Sequence, residues 1–517
     1  MVDRRWLLRL ALVLAVFANN ANFSATTVAL PSIQHSLGLG FTGLQWTMTA
    51  YLLTYSAGML PGGRLSDALG TRTVLLWGIG LYLGAMLIVA SATDLPVLLA
   101  GRLLQGAAAA LITPATTAAA RTRFSGAAQT ATIGLIVGMS AIGQALGPLF
   151  GGLLDQGAGW RAVFVVNIPL LAVAAVLTLT TMEPGHRRAG PARLDVTGAA
   201  LFAAALALLT IALVESENYG LANPVVLAGL AAAAAVLVLF FARAGRPDAL
   251  LDARLLRDRT FAASTAVGFT MTFTLASVLF FAALYLERVR GYGSVRTGLL
   301  FLPMTALFGV LSTQAARVER RFGRRLPALG GLAVACAGSA VLALDTPSAP
   351  IAAPLAGLFL IGLGLGVSWA QVTGAGLRAA PPGQAGQAAG ILFTARWVGG
   401  TLGIAVLGLV YRRAADARLA ALLGGPGHAL GPRAKDQLDG LLSGSAPARA
   451  VLSGLPAPLR AAAVAAVRDA AARGSAWALA GVAVVAGAGA ALCLLMPRER
   501  AAVRKAGRTS LAQPAGR

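Results

Sequence analysis

Fourteen stretches of this 517-residue chain are apolar over about the length of a bilayer-spanning helix, and that pattern restricts the fold more than any single motif. Such a helix needs roughly 20 mostly apolar residues. Runs of that kind fall at about 7–30, 42–62, 73–92, 95–117, 127–151, 161–181, 195–214, 223–242, 261–284, 297–316, 326–344, 351–372, 386–410 and 475–496. Backbone polar groups in lipid must be satisfied internally, so the expected fold is all-α and integral to a membrane. The first run follows Arg4 and Arg5 as a secretory signal would. A polar patch and Pro31 come after it with no small-residue cleavage site, so it is expected to remain a helix. The segments between runs are too short for a folded soluble domain except at 411–474. That stretch is rich in Gly, Ala and Pro, and 459–473 has the pattern of a modestly amphipathic helix. It reads as an ordered hairpin or cap, or else as a partner-binding module.

Charge carries the next constraint. Only 12% of residues are charged, against about a quarter in soluble proteins, which excludes a soluble multidomain enzyme. The net charge is nevertheless +23, a balance that in a soluble chain would point to nucleic acid. An even number of spans puts both termini on one side, and that side holds 27 of the 42 Lys and Arg residues. The short loops opposite hold four: Arg161, Arg288, Arg290 and Arg296. By the positive-inside rule both termini are expected in the cytoplasm, and nucleic acid drops out as a partner. The expected partners are the lipid bilayer and a small-molecule substrate, with the chain working as a monomer. Two basic residues, Arg102 and Arg396, fall inside spans. The two cysteines, Cys336 and Cys493, lie in apolar stretches without metal-ligand neighbours, so neither a disulfide framework nor a metal site is expected. No nucleophile–base constellation stands out, so the chain is not expected to be an enzyme.

An internal echo suggests duplicated halves. Ala316–Arg325 resembles Arg64–Arg72 as a basic tight turn containing glycine, Gly323 in one and Gly70 in the other. Such repeats mark secondary transporters, whose substrate site lies near the midplane between halves. The expected division is a six-helix bundle over 1–182, an inserted helix pair with its linkers over 183–258, a second six-helix bundle over 259–497 that includes 411–474, and a basic tail over 498–517.

Several motifs then carry a family resemblance. In Gly63-Arg64-Leu65-Ser66-Asp67-Ala68-Leu69-Gly70-Thr71-Arg72 the glycines allow a sharp turn, and Asp67 is expected near the start of the next helix, where the macrodipole favours it. This resembles the loop signature of the major facilitator superfamily, matching at Gly63, Leu65, Asp67, Gly70 and Arg72, while Ala68 and Thr71 replace residues that are usually basic. The resemblance implies a conformational latch between the halves. Arg102-x2-Gln105-Gly106 puts a guanidinium inside a span, a functional candidate by its cost alone. It resembles the superfamily's R-x-x-Q-G element, which implies a part in proton exchange; a structural arginine bonded across helices is the alternative. Gly134, Gly138, Gly143 and Gly147 make a smooth helix face, and Pro148 can bend the helix. With Gly151 and Gly152 they resemble the antiporter motif of superfamily exporters, which implies efflux.

Val28-Ala29-Leu30-Pro31, Gln45-Trp46-x3-Ala50-Tyr51, Trp160-Arg161, Asp195-x2-Gly198 and Arg396-x2-Gly399-Gly400 complete an ordered series along nearly the whole chain, weakest in 411–474. The series resembles the fourteen-helix drug:proton antiporters. That implies two six-helix bundles plus two intervening helices, no cofactor, and a multi-pass place in a bacterial cell membrane. It also implies export of drugs, antibiotics or secondary metabolites by alternating access, driven by the proton gradient.

One departure bears on mechanism. The family's first span carries an Asp nine residues before the proline of Ala-Leu-Pro, and here that position is Asn22, which holds no exchangeable carboxyl proton. None of the 19 carboxylates falls mid-span; Asp155, Glu215, Glu217, Glu287 and Asp345 sit at one set of span ends, Asp67 and Asp195 at the other. Three readings stay open: coupling through an end-of-span carboxylate such as Asp155, uncoupled facilitation, or exchange of one solute for another. Arg102 and Arg396 without a matching acid favour anionic or neutral substrates. A non-transporting sensor or scaffold of transporter ancestry is the contrasting class. The expected cavity lining is Asn19, Asn20, Asn22, Gln45, Trp46, Tyr51, Tyr55, Gln144, Trp369, Gln371, Arg396 and Trp397. Interhelical bonding is the alternative role for each.

Overall fold

The computed structural model describes residues 4–183, 195–243, 246, 251, 254–380, 385–423 and 457–496. Among these there is no strand. The first bundle consists of α1 (Arg4–Leu37), α2 (Phe41–Leu69), α3 (Thr71–Ala90), α4 (Leu95–Arg123), α5 (Gly126–Ala158), α6 (Trp160–Val165) and α7 (Asn167–Thr181). Next come α8 (Val196–Tyr219) and α9 (Pro224–Arg243). The second bundle consists of α10 (Arg259–Arg288), α11 (Ser294–Thr313), α12 (Ala315–Phe322), α13 (Arg325–Ala343), α14 (Ala352–Ala379), α15 (Ala385–Leu423) and α16 (Ala457–Leu492).

Every one of the fourteen apolar runs is helical, though fewer than fourteen of the described helices pass as spans on length and apolarity alone. Among the described residues, and with α6 and α7 counted as one, twelve helices are long and apolar enough to cross a membrane, or thirteen if α5 counts as one bent span. Among the described long helices the one outside that set is α2, whose apolarity is lowered by the buried polar residues Gln45, Thr47, Thr49 and Ser56. In α5 the segments Ala131–Gln144 and Leu146–Ala158 are bent by 41°. Pro148 has no N–H to return to the carbonyl of Gln144, so the bend falls where a ladder bond is missing.

Close helix approach explains the glycine series, but only in part. A Cβ at Gly143 would come within 2.7 Å of Phe17 O, and one at Gly151 within 2.6 Å of Ala25 O, so these positions let α5 lie against α1. Gly134 and Gly138 have nothing within 4 Å, so they are not part of that contact. The duplicated turns also match: Gly70 ends α2 at φ 89° and Gly323 ends α12 at φ 71°, both left-handed conformations that favour glycine. The inserted pair is held at its base by Asp195, whose Oδ1 accepts from the backbone N–H of Gly198 at 2.8 Å and from Arg243 Nη2 at 3.3 Å. That is why an Asp opens α8 three residues before a glycine.

Two local expectations are corrected. Asp67 lies in the last turn of α2, before Gly70, and not at the start of α3. The macrodipole there is unfavourable to a carboxylate; the Asp67 side chain lies outside the described structure. Residues 459–473 are helical, as their pattern indicates, but do not form a helix of their own. They begin α16 and run without a break into the last apolar run, while 411–423 complete α15. The two extensions pack through Ala415, Leu419, Ala466 and Ala470, with Arg418 Nε 2.6 Å from Asp469 Oδ2. Residues 424–456 and the basic tail 498–517 lie outside the described residues.

Candidate substrate site between the bundles

The bundles meet along α1, α2 and α5 on one side and α10, α11 and α15 on the other. At the face opposite the termini, this contact is polar and specific. Asp155 Oδ2 accepts from Ser32 Oγ of its own bundle and from Ser294 Oγ of the other, both at 2.7 Å. Gln34 accepts from Arg288, Phe41 stacks on Tyr411 at 4.6 Å, and Gln45 Nε2 donates to Ile404 O at 2.9 Å. A Cβ on Gly152 would come within 2.5 Å of Ser294 O, so the end of the antiporter-like motif is shaped by α11.

Deeper in, an aromatic junction joins the halves. Trp397 of α15 packs on Tyr55 at 4.5 Å and edge-on to Phe23 at 5.8 Å, and Phe23 in turn stacks on Tyr51 at 5.7 Å. The Tyr51 hydroxyl donates to Asn19 Oδ1 at 2.9 Å, and Tyr55 shares a 2.9 Å bond with Thr113. Large rigid rings with a few fixed polar atoms suit a compact amphiphilic ligand.

The two intramembrane arginines have opposite surroundings. Arg102 is fully buried with all three nitrogens engaged: Nε donates to Thr47 O at 2.8 Å, Nη1 to Gln105 Oε1 at 2.9 Å, and Nη2 contacts Met48 Sδ at 3.9 Å. Its guanidinium also lies 4.7 Å from the Tyr51 ring centre, so Arg102 and Gln105 act as a clamp between α2 and α4. Arg396 is equally buried, but its hydrogen bonds come from Nη2 alone, to Thr373 Oγ1 at 2.7 Å and Trp369 O at 3.4 Å. Its Nε and Nη1 have no hydrogen-bond partner. Its Cζ sits 4.6 Å over Trp369.

The remaining expected lining residues divide. Asn22 points within its own bundle, donating to Val163 O at 3.2 Å; that carbonyl also accepts from Asn167 Nδ2, beside the break between α6 and α7. Trp46 turns to the inserted pair, its Nε1 3.3 Å from Glu215 Oε1. Gln144 and Gln371 are buried. In the expected latch, Arg72 Nη2 donates to Leu179 O at 3.1 Å, a contact inside the first bundle. The duplicated turn carries an acid, with Glu319 binding Arg324 at 2.8 Å and Arg378 at 3.1 Å. Sequence reasoning missed Phe23, Thr373 and Gly268. For Phe23 a signal existed, since it lies one helical turn from Asn19 on the same face.

A membrane protein of two helical bundles, with polar and aromatic side chains buried where they meet, has the construction of a transporter. The sequence profile of the Major Facilitator Superfamily matches residues 12–404, and the chain belongs to that superfamily. It is a multi-pass bacterial membrane protein. It is similar to the multidrug resistance protein Stp of Mycobacterium tuberculosis, with 33% identity over 388 residues, 74% of this chain and 71% of that protein. It is also similar to the methylenomycin A resistance protein of Streptomyces coelicolor, with 33% identity over 397 residues, 76% of this chain and 83% of that one. Other relatives are named as drug efflux or export proteins. Among solved structures, a bacterial homologue of the human lysosomal transporter Spinster shares the fold, with TM-score 0.65, 18% identity, and coverage of 97% of this chain and 98% of that one.

Proposed function

We propose that the chain exports small amphiphilic compounds across the bacterial cell membrane by proton-coupled alternating access, with both termini in the cytoplasm. The observation that carries this reading is the junction of Phe23, Tyr51 and Tyr55 with Trp397, built from both bundles in a chain whose relatives are drug-resistance proteins. Rocking the bundles about such a junction exposes it to one side and then to the other. With Asn22 in place of an acid, the proton is assigned to Asp155. That carboxylate lies between the bundles where they close, is bonded to both through Oδ2, and has a buried Oδ1 without a hydrogen-bond partner. Separating the bundles removes Ser294 from Asp155 and changes its surroundings, which is what a coupling site requires.

The test uses purified protein in liposomes loaded with a fluorescent dye. Protein-dependent dye movement is expected to rise with an imposed pH gradient, to fall when the gradient is dissipated, and to lose that dependence in Asp155→Asn. Dye movement indifferent to the gradient would replace antiport with facilitation or solute exchange. The amide at Asn22 favours that second reading. Absence of any movement would support a non-transporting sensor or scaffold.

A further inference from the structure

Arg396 stands about midway along the apolar part of α15, beside the residue that joins the two bundles, Trp397. Its guanidinium is enclosed by α14, which supplies Trp369 and Thr373, and by α10, where a Cβ on Gly268 would lie 3.0 Å from Nε. One helical turn to either side of Gly268 are Ser264 and Thr272, both buried, and both with a side-chain oxygen lacking any hydrogen-bond partner. Ser264 packs at Gly376 of α14, and Thr272 at Gly400, one turn along α15 from Arg396. A buried charge with two unbonded nitrogens, flanked by two unbonded hydroxyls, is far from an energetic minimum by itself. Unpaired buried groups of this kind cost free energy unless something binds them. Arg102, buried in the other bundle, shows how the same side chain looks when the protein satisfies it internally.

We propose that Arg396 recognises an oxyanion on the transported compound, a carboxylate or phenolate, with the Ser264 and Thr272 hydroxyls as further donors and Trp369 as the adjoining aromatic wall. The assignment rests on the export reading and gives it a substrate class: aromatic acids and other amphiphilic anions. Nη2 is already committed to Thr373 and Trp369, so the free Nε–H and Nη1–H, which face different edges of the guanidinium, each donate singly to an anionic oxygen, and in a desolvated site such charge-assisted bonds are stronger than neutral ones. Each charged hydrogen bond contributes about tenfold to a hundredfold in affinity.

The test compares fluorescein with rhodamine 123, which share a xanthene frame but carry opposite charge, in liposomes containing the purified full-length protein. Wild type is expected to move fluorescein with a KM at least about tenfold below that for rhodamine 123. In Arg396→Gln the fluorescein KM is expected to rise about tenfold to a hundredfold, so that the preference for fluorescein over rhodamine 123 collapses. Arg396→Lys, which keeps the charge but has a single, differently placed donor nitrogen, is expected to fall between. A wild type that prefers rhodamine 123, or an Arg396→Gln variant with an unaltered fluorescein KM, overturns the proposal while leaving export in place. If neither dye moves, the export reading fails first. Should Arg396→Gln not fold, the wild-type dye preference and Arg396→Lys decide.

Discussion

Adding one methyl group separates two kinds of glycine that look identical in the sequence. In Gly147→Ala the new Cβ would lie 2.6 Å from Ala21 O and 3.0 Å from Ala25 N, with Ser24 Oγ closer still. Ser24 can rotate; the α1 backbone cannot move without shifting the whole helix. Overpacking of this sort costs about 1–3 kcal/mol, against a gain of about 1 kcal/mol from replacing glycine by alanine in a helix. The net is a loss of up to about 2 kcal/mol at Gly147. In Gly134→Ala, with nothing within 4 Å, only the gain remains. The assay is thermal unfolding of the purified protein in detergent, followed by size-exclusion fluorescence. Gly147→Ala is expected to lower the midpoint and Gly134→Ala to leave it unchanged or raise it. Equal behaviour of the two variants would refute close α1–α5 packing as the reason for glycine at position 147.

Other outcomes follow from buried polar contacts. Arg102→Lys keeps the charge but gives up most of the clamp on Thr47 and Gln105, and is expected to lose about 2–4 kcal/mol of stability without altering dye preference; a changed preference would contradict a purely clamping role. Arg290 Nη2 binds both oxygens of Asp345 at 2.7 Å and Nη1 holds Ala349 O at 2.5 Å, so Asp345→Asn is expected to cost about 1.5–3 kcal/mol and speed hydrogen exchange at the α13–α14 turn. Burial alone would raise the Glu319 carboxyl, but bonding to Arg324 and the charges of Arg378 and Arg324 outweigh it and hold the group below its ordinary value. Its contribution is therefore complete above the unfolded value of about 4.3 and is lost as pH falls through the lower folded value. Exchange protection of α12 is expected to stay flat from about pH 7 to about pH 5 and to drop only below about pH 4, and Glu319→Gln is expected to remove that acid step.

Much of the fold was legible because hydropathy is a local property. Each apolar run became a helix, and the Asp195-x2-Gly198 spacing encoded a real cap. The extensions of α15 and α16 were not legible as helices continuous with their spans, since Ala- and Arg-rich stretches such as 459–473 fall below the apolarity of a span. Within the candidate site, residue type singles out Tyr51, Trp369 and Arg396 but not their orientation. Asn22 and Trp46 belong to helices that line the junction, yet one turns to α6 and the other to the inserted pair. Arg102 and Arg396 differ in part locally, since Gln105 follows Arg102 by three residues and binds it where Gly399 follows Arg396; the contacts with Thr47 and Thr373 come from three-dimensional packing that no local pattern encodes.

The most direct test of export through this junction is flux of a dye by purified protein in liposomes, with and without an imposed pH gradient. Saturable movement that depends on the gradient, and that Trp397→Ala reduces at least about tenfold in kcat/KM, is the predicted result. Movement no faster than in protein-free liposomes, or untouched by Trp397→Ala, would contradict it.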